Sequence, residues 1–254
     1  MVGSRRTTPT PLEVVMKLAI VGTGTVGRTL AVGWASCGHD VVVGTRNPLL
    51  TAERPLDDST SVTVGSVLDD AGIALVALAD VAAGADVVVN ATNGAASVAA
   101  LGEVGATALA GKVLLDVANP LDFSNGFPPT LSVCNDDSLA EQIQRQFPAA
   151  RVVKSLNTVN ASVMVEPAQL AAPSAIFLAG DDADAKAIVA GLLADLGWEQ
   201  VVDLGDLGAA RGMEMYLPLW LRLMGALGTA QFNIAVVRAA GGGDGYGDGD
   251  GGAA

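Results

Sequence analysis

Histidine is almost missing from this chain. His39 is the only one in 254 residues, and the pattern around it puts it at a helix-to-strand corner. Metal catalysis and Ser-His-Asp acyl transfer therefore have almost no material to work with. Cysteine is nearly as scarce. Cys37 and Cys134 are too few for a disulfide framework and fit a reducing cytoplasm. Neither stands in a C-x-x-C pair or near a candidate base, so both read as packed thiols. Positive charge is short as well: 14 Lys and Arg face 27 Asp and Glu, a formal net charge of −13. That balance argues against nucleic acid and anionic membranes as partners. Half of the residues are hydrophobic, but no apolar run reaches membrane-spanning length without Gly, Asp or Asn breaking it. Arg5 and Arg6 are followed by TTPTPLEVV rather than an apolar core, so no signal peptide is expected. The length fits one α/β domain with an extension, or two small domains.

What the chain does have is concentrated in residues 16–48, MKLAIVGTGTVGRTLAVGWASCGHDVVVGTRNP. A short apolar run, Leu18–Val21, leads into Gly22, Gly24 and Gly27 in the spacing G-x-G-x-x-G. A helical pattern follows with Val26, Leu30, Trp34 and Cys37 on one face, and Gly38 reads as its stop. A second apolar run, Val41–Val43, ends in Gly44-Thr45-Arg46-Asn47-Pro48. Strand, glycine turn, helix, strand is the context that a dinucleotide fingerprint requires. Gly22 allows the tight turn, Gly24 lets the backbone approach a pyrophosphate, and Gly27 lets helix and sheet pack closely. The helix start offers free N–H groups and a positive dipole end to phosphate. Where an NAD site carries Asp or Glu for the ribose 2′-hydroxyl, this chain has Thr45 and Arg46. A hydroxyl and a guanidinium suit a 2′-phosphate, so NADP is the expected cofactor.

The remaining signals alternate strand and helix. Residues 49–62 read as a loop or short helix, and Val62–Leu78 should hold a helix and the third strand. A short helix at Asp80–Ala85 leads to a fourth strand, Val87–Val89, which ends in Asn90-Ala91-Thr92-Asn93-Gly94. A helix near Val98–Leu109 and a fifth strand, Lys112–Val117, lead to Asn119-Pro120, and Phe123–Pro129 reads as a loop. A helix near Leu139–Phe147 precedes a sixth strand, Arg151–Ser155, followed by Leu156-Asn157-Thr158. The pattern then predicts a strand at Ala175–Ala179, a helix at Ala183–Leu196, a strand at Val201–Asp203, an apolar helix at Tyr216–Thr229 and a last strand at Phe232–Val237. In a doubly wound sheet, ligands sit beyond the carboxyl ends of the strands. Three successive strand ends thus deliver amides and hydroxyls, and no strong acid or base, to one edge. The expected fold is α/β, a Rossmann-type doubly wound parallel sheet with a small C-terminal extension. The expected division is a flexible leader at 1–15, the NADP-binding part at 16–150, strands and helices at 151–238 that complete the sheet and the acceptor site, and a disordered Gly/Asp tail at 239–254.

The order of these signals resembles the deazaflavin-dependent NADP oxidoreductase family, which transfers hydride between NADPH and coenzyme F420. The similarity covers roughly residues 16–237. It rests on MKLAIVGTGTVG, VVVGTRNP, LLDVANPL, VVKSLNT and ARGMEMYLPLWLRL, with Arg211, Glu214 and Pro218 spaced as in that family. The resemblance implies that Thr23–Val26 bind the pyrophosphate and that Thr45 and Arg46 hold the 2′-phosphate. It implies that Ala91 and Thr92 flank the nicotinamide ribose, that Ser155 lies near the nicotinamide, and that the protein is a homodimer. The full cofactor-binding set expected is Gly22, Thr23, Gly24, Thr25, Val26, Gly27, Thr45, Arg46, Asn47, Ala91, Thr92, Asn93, Asn119, Ser155 and Asn157. No catalytic side chain and no metal ligand is assigned, because direct hydride transfer needs alignment more than a proton donor. Two departures fall on the acceptor side. The loop after the fourth strand is Thr92-Asn93-Gly94-Ala95 where a bulkier aromatic segment is usual, and Asn157 stands where a histidine is expected. Two other readings stay open at this point. One is NADPH-dependent reduction of a small carbonyl or imine, for which Lys154, Tyr216 and Glu214 are the only nameable proton donors. The other is a non-catalytic NADP-binding sensor.

Overall fold

A computed structural model of the chain describes residues 14–57 and 59–239. The expected leader and Gly/Asp tail lie outside these residues, apart from residues 14, 15 and 239. The first half runs β1 Lys17–Val21, α1 Thr25–Ser36, β2 Asp40–Thr45, α2 Pro48–Ala52, α3 Val64–Asp70, β3 Ala74–Ala77, α4 Leu78–Val81, β4 Val87–Asn90, α5 Ser97–Val104, α6 Ala106–Leu109 and β5 Val113–Asp116. It continues with β6 Leu121–Asp122, β7 Thr130–Leu131, α7 Leu139–Gln146, β8 Arg151–Ser155, α8 Ala161–Val165, β9 Ala175–Gly180, α9 Ala183–Asp195, β10 Gln200–Asp203, α10 Ala210–Met215 and α11 Leu217–Leu227.

Eight strands form one sheet in the order β10-β9-β8-β5-β4-β1-β2-β3. Every neighbouring pair is parallel except β8 with β9. This is the Rossmann-type α/β fold. The chain winds outward from β1 through β2 to β3, then returns to β4 on the other side of β1. The switch point therefore lies between β1 and β4, where a crevice opens beyond the strand ends.

Side chains on successive strand residues point to opposite faces, and two apolar layers result. Leu18 and Ile20 of β1 join Leu30 and Trp34 of α1 and Leu192 of α9 on one face. Ala19 and Val21 join Leu101 of α5 and Ile143 of α7 on the other. Trp34 is fully buried and donates its indole N–H to the Leu192 carbonyl at 3.1 Å, which satisfies its one polar atom.

Several boundaries differ from the sequence reading. The helix expected near 98–109 breaks at Gly105, whose φ of 96° ends α5. The loop read at 123–129 is present, and the short strands β6 and β7 that flank it as a hairpin were not expected. Helix α8 escaped the sequence reading. It has only five residues, but Asn160 caps it by accepting the Ser162 N–H. The helix expected at 216–229 is α11, Leu217–Leu227, with Pro218 in its first turn where its missing N–H costs nothing, and the short helix α10 precedes it unpredicted. Phe232–Val237 is not a strand. One backbone bond ties it to the sheet, Ala175 N–H to the Ile234 carbonyl, and the Phe232 ring stacks on Trp220 at 5.3 Å instead. Among the described residues no helix is long and apolar enough to cross a membrane.

Candidate active site

The glycine turn sits at the switch point. Gly22 has φ of 123°, and a Cβ there would lie 2.5 Å from the Ala91 carbonyl oxygen. A Cβ on Gly27 would lie 2.1 Å from the Gly22 carbonyl oxygen. Both contacts are with backbone, so any side chain at either position would force the turn, β4 and α1 apart. Around Gly24 a Cβ would meet only open space. No side chain caps the start of α1. The first N–H groups of that helix, from Thr25 onward, lack intrahelical acceptors and face the crevice with the positive end of the dipole. This cradle has the shape and polarity of a pyrophosphate site.

A cavity of about 610 Å³ opens from this cradle. Gly22, Thr23, Gly24, Thr45, Arg46, Asn47, Ala91, Thr92 and Asn93 line it, all expected from sequence. Asn47 takes part mainly as the cap of α2, accepting the Leu50 N–H at 3.1 Å. The Thr45 hydroxyl is paired with the Thr51 hydroxyl at 2.9 Å. Arg46 is exposed and has no partner among the described residues.

Arg54, which the motif reading missed, also lines this cavity. Its Nη2 donates to the Thr23 carbonyl at 2.7 Å and to the Thr23 hydroxyl oxygen at 2.9 Å. Arg28 Nη1 donates to the same carbonyl at 2.7 Å. Burial, and then the charge of Arg54, lower the Arg28 pKa from its ordinary value. None of these three arginines is in an ion pair among the described residues, although the chain is strongly acidic. Among the described residues the only carboxylate lining the cavity is Glu103, on α5. Local positive charge without a protein counter-ion is what a phosphate-bearing ligand requires. No motif marks Arg54, which lies eight residues past Arg46 beyond a helix. Only its position in a predicted loop beside the cofactor end could have suggested it.

A second compartment of about 180 Å³ adjoins the first through Ala91, Thr92 and Asn93. Val26, Asn119, Leu121 and Phe123 are among its other lining residues, and among the described residues no titratable side chain lines it. Thr25 is exposed at the helix start and Gly27 is buried behind it. Two expectations need correction. Ser155 is fully buried and donates its hydroxyl to the Phe177 carbonyl at 2.7 Å, so it lines neither compartment. Asn157 is also outside both linings. It donates to Asn119 Oδ1 and to the Met213 carbonyl, each at 3.0 Å, and acts as a brace under Asn119.

Among the described residues the ends of β4, β5 and β8 bring no acid or base into either compartment, but the sequence reading missed a buried charged cluster beside them. Asp116, Lys154 and Glu214 lie buried directly beneath them. Burial alone would lower the Lys154 pKa, but Asp116 and Glu214 outweigh it and hold the ammonium above its ordinary range. Burial pushes Glu214 upward, against the pull of Lys154.

The family described as "NADP oxidoreductase coenzyme F420-dependent" matches residues 17–120. A crystal structure from Arthrobacter sp. FB24, of a protein provisionally described as an F420-dependent NADP reductase, is 56% identical. It covers 88% of this chain and 100% of its own, with a TM-score of 0.84. The chain belongs to the F420-dependent NADP reductase family. The F420-dependent NADP reductase of Methanothermobacter thermautotrophicus is 28% identical over 214 residues, 83% of this chain and 90% of that one. A reductive aminase from Aspergillus terreus, solved with NADPH, has a TM-score of 0.58 at 21% identity. It covers 84% of this chain and 63% of its own, a likeness of fold alone.

Proposed function

We propose that this chain transfers a hydride between NADPH and the deazaflavin coenzyme F420. The observation that carries the cofactor half is the pair of uncompensated guanidiniums, Arg46 and Arg54, at the carboxyl end of β2 beside the glycine cradle. In this reading Thr23–Gly27 hold the pyrophosphate, and Thr45, Arg46 and Arg54 hold the 2′-phosphate. Ala91, Thr92 and Asn93 lie along the nicotinamide half. When bound, the two coenzymes supply the chemistry, a hydride passing between nicotinamide C4 and the deazaflavin ring with a solvent proton closing the balance. The protein's own work is alignment and exclusion of water. The smaller compartment supports this. It adjoins the cofactor cavity, its wall is apolar apart from Thr92, Asn93 and Asn119, and Phe123 offers a flat apolar face to a ring.

The absence of an acid or base among the residues lining that compartment weighs against a carbonyl or imine reductase, which needs a proton donor at the reacting oxygen or nitrogen. Of the three donors considered from sequence, Lys154 and Glu214 are engaged with each other and Lys154 also with Asp116, and Tyr216 lines neither compartment. Residues 16–150 would carry the cofactor and 151–238 would complete the sheet and brace the acceptor side. Apolar α11 leaves Leu219 and Leu227 more than half exposed and buries only Leu217. That supports a homodimer, and the two-cysteine composition supports a cytoplasmic setting. Titration with NADPH and NADH tests the cofactor assignment. NADPH should bind at least about 10-fold tighter, and equal affinities would defeat it.

A further inference from the structure

The Arg211-x-x-Glu214 motif lines neither compartment, and neither does Lys154. Even so, the most deeply buried charges among the described residues meet there. Asn90, Asp116 and Lys154 are register partners on β4, β5 and β8. Their side chains share one sheet face, at the last residues of β4 and β5 and one residue before the end of β8. Asn90 Nδ2 donates to Asp116 Oδ1 at 2.8 Å. Lys154 Nζ donates to Asp116 Oδ2 at 2.8 Å and to the Ala118 carbonyl, and its third partner is Glu214 Oε1 at 2.8 Å. Glu214 also accepts the N–H groups of Leu139 and Ala140 at 2.8 and 3.2 Å, the first two residues of α7. Arg211 grips Glu141 of the same helix, its Nε donating to Oε2 at 2.9 Å. At the other end of the chain of bonds, Asn90 Oδ1 accepts the Thr92 hydroxyl at 2.7 Å. Thr92 lines both compartments.

Three charges buried together are a poor way to gain stability, since apolar side chains of equal volume serve as well or better. What they supply is direction: a fully partnered buried network fixes each atom it touches. We propose that Lys154 is a positioning residue for the reaction. It joins the α7–α10 clamp to the two strand ends that carry Thr92 and Asn119, through Asp116 and Asn90 on one branch and the Ala118 carbonyl on the other. Nζ touches neither compartment, so Lys154 acts through these residues and not on a coenzyme. The inference rests on the hydride-transfer reading for its effect on turnover, and on geometry alone for its effect on the strand ends.

The test is Lys154→Met, with Glu214→Gln as a milder variant that keeps one acceptor oxygen for one of the two α7 N–H groups. Amide hydrogen exchange of the ligand-free proteins should rise at residues 90–94 and 117–119 while β1 and α1 stay protected. With deazaflavin, kcat should fall about 100-fold for Lys154→Met and about 10-fold for Glu214→Gln. The dissociation constant for NADPH should stay within about twofold, because the glycine cradle is untouched. Unchanged exchange at those segments, or exchange raised evenly over the whole sheet, would overturn the proposal. So would full kcat per folded molecule. If the unmodified protein fails to reduce deazaflavin, the hydride reading falls, and the exchange pattern still decides the role of Lys154.

Discussion

Replacing Arg46 with Ala removes an exposed guanidinium that no described residue holds. Its loss should leave the fold and the glycine cradle as they are. A charge-assisted hydrogen bond to a phosphate contributes about 1.5–3 kcal/mol. The exposure of Arg46 places it at the lower end, about 1.5 kcal/mol, which is about a 10-fold weaker NADPH complex. NADH has no 2′-phosphate, so its affinity should not change. Arg54 is a harder case. It lines the same cavity but also holds Thr23 by two bonds. Arg28 still holds the Thr23 carbonyl when Arg54 is gone. Arg54→Ala should therefore cost about 10- to 100-fold for NADPH and only a few-fold for NADH. If both arginines grip one phosphate, the double variant should lose less than the sum of the single losses. Fluorescence titration of each variant with both nucleotides measures all of this. Equal loss of NADPH and NADH in Arg46→Ala would refute the reasoning, because the residue would then be serving the fold or the shared half of the nucleotide.

Other predictions follow from the same geometry. Gly27→Ala puts a methyl against the Gly22 carbonyl oxygen, so both nucleotides should be lost together. Thermal melting should also show a drop of about 2–4 °C per kcal/mol of overpacking, with about 1–3 kcal/mol expected. Phe123→Ala should raise the KM for deazaflavin about 10-fold, from about 1–2 kcal/mol of lost apolar contact, with NADPH binding unchanged; steady-state kinetics in both substrates would show otherwise if the ring binds elsewhere. The Arg145 guanidinium holds Asp137 down at about 2 from 3.8. A depressed carboxylate contributes stability that is complete above its unfolded value and is lost as pH falls from 3.8 toward about 2. Asp137→Asn should thus cost under about 1 kcal/mol at neutral pH, the pair being solvent-facing. Urea melts should show that cost vanish near pH 2; a difference that persists there would contradict the pairing.

The glycine turn and the first two strands were legible because their signals are local. A run of apolar residues, three glycines and a basic strand end all lie within 33 residues, and each constrains its neighbours. The polar row was not legible, because Asn90, Asp116 and Lys154 become neighbours only through sheet register, and Glu214 arrives from a helix at the far end of the chain. A lysine inside the apolar run Val152-Val153-Lys154-Ser155 was a sign that something buried must pair with it. Ser155 was misplaced for a related reason. Alternation along β8 sends its hydroxyl to the opposite sheet face from Lys154, toward β9. Phe232–Val237 has the composition of a strand. Strand composition reports fit to a half-buried pleated surface, and here the stack of Phe232 on Trp220 supplies that burial without a ladder.

The most direct test of the central claim is the rate of NADPH oxidation, followed at the nicotinamide absorbance band, with purified protein and either deazaflavin coenzyme or ordinary flavin as acceptor. Rapid oxidation with the deazaflavin and none above background with flavin is the predicted result. Tight NADPH binding with no oxidation by the deazaflavin would contradict the account, and would leave a nucleotide-binding protein whose acceptor compartment serves another partner.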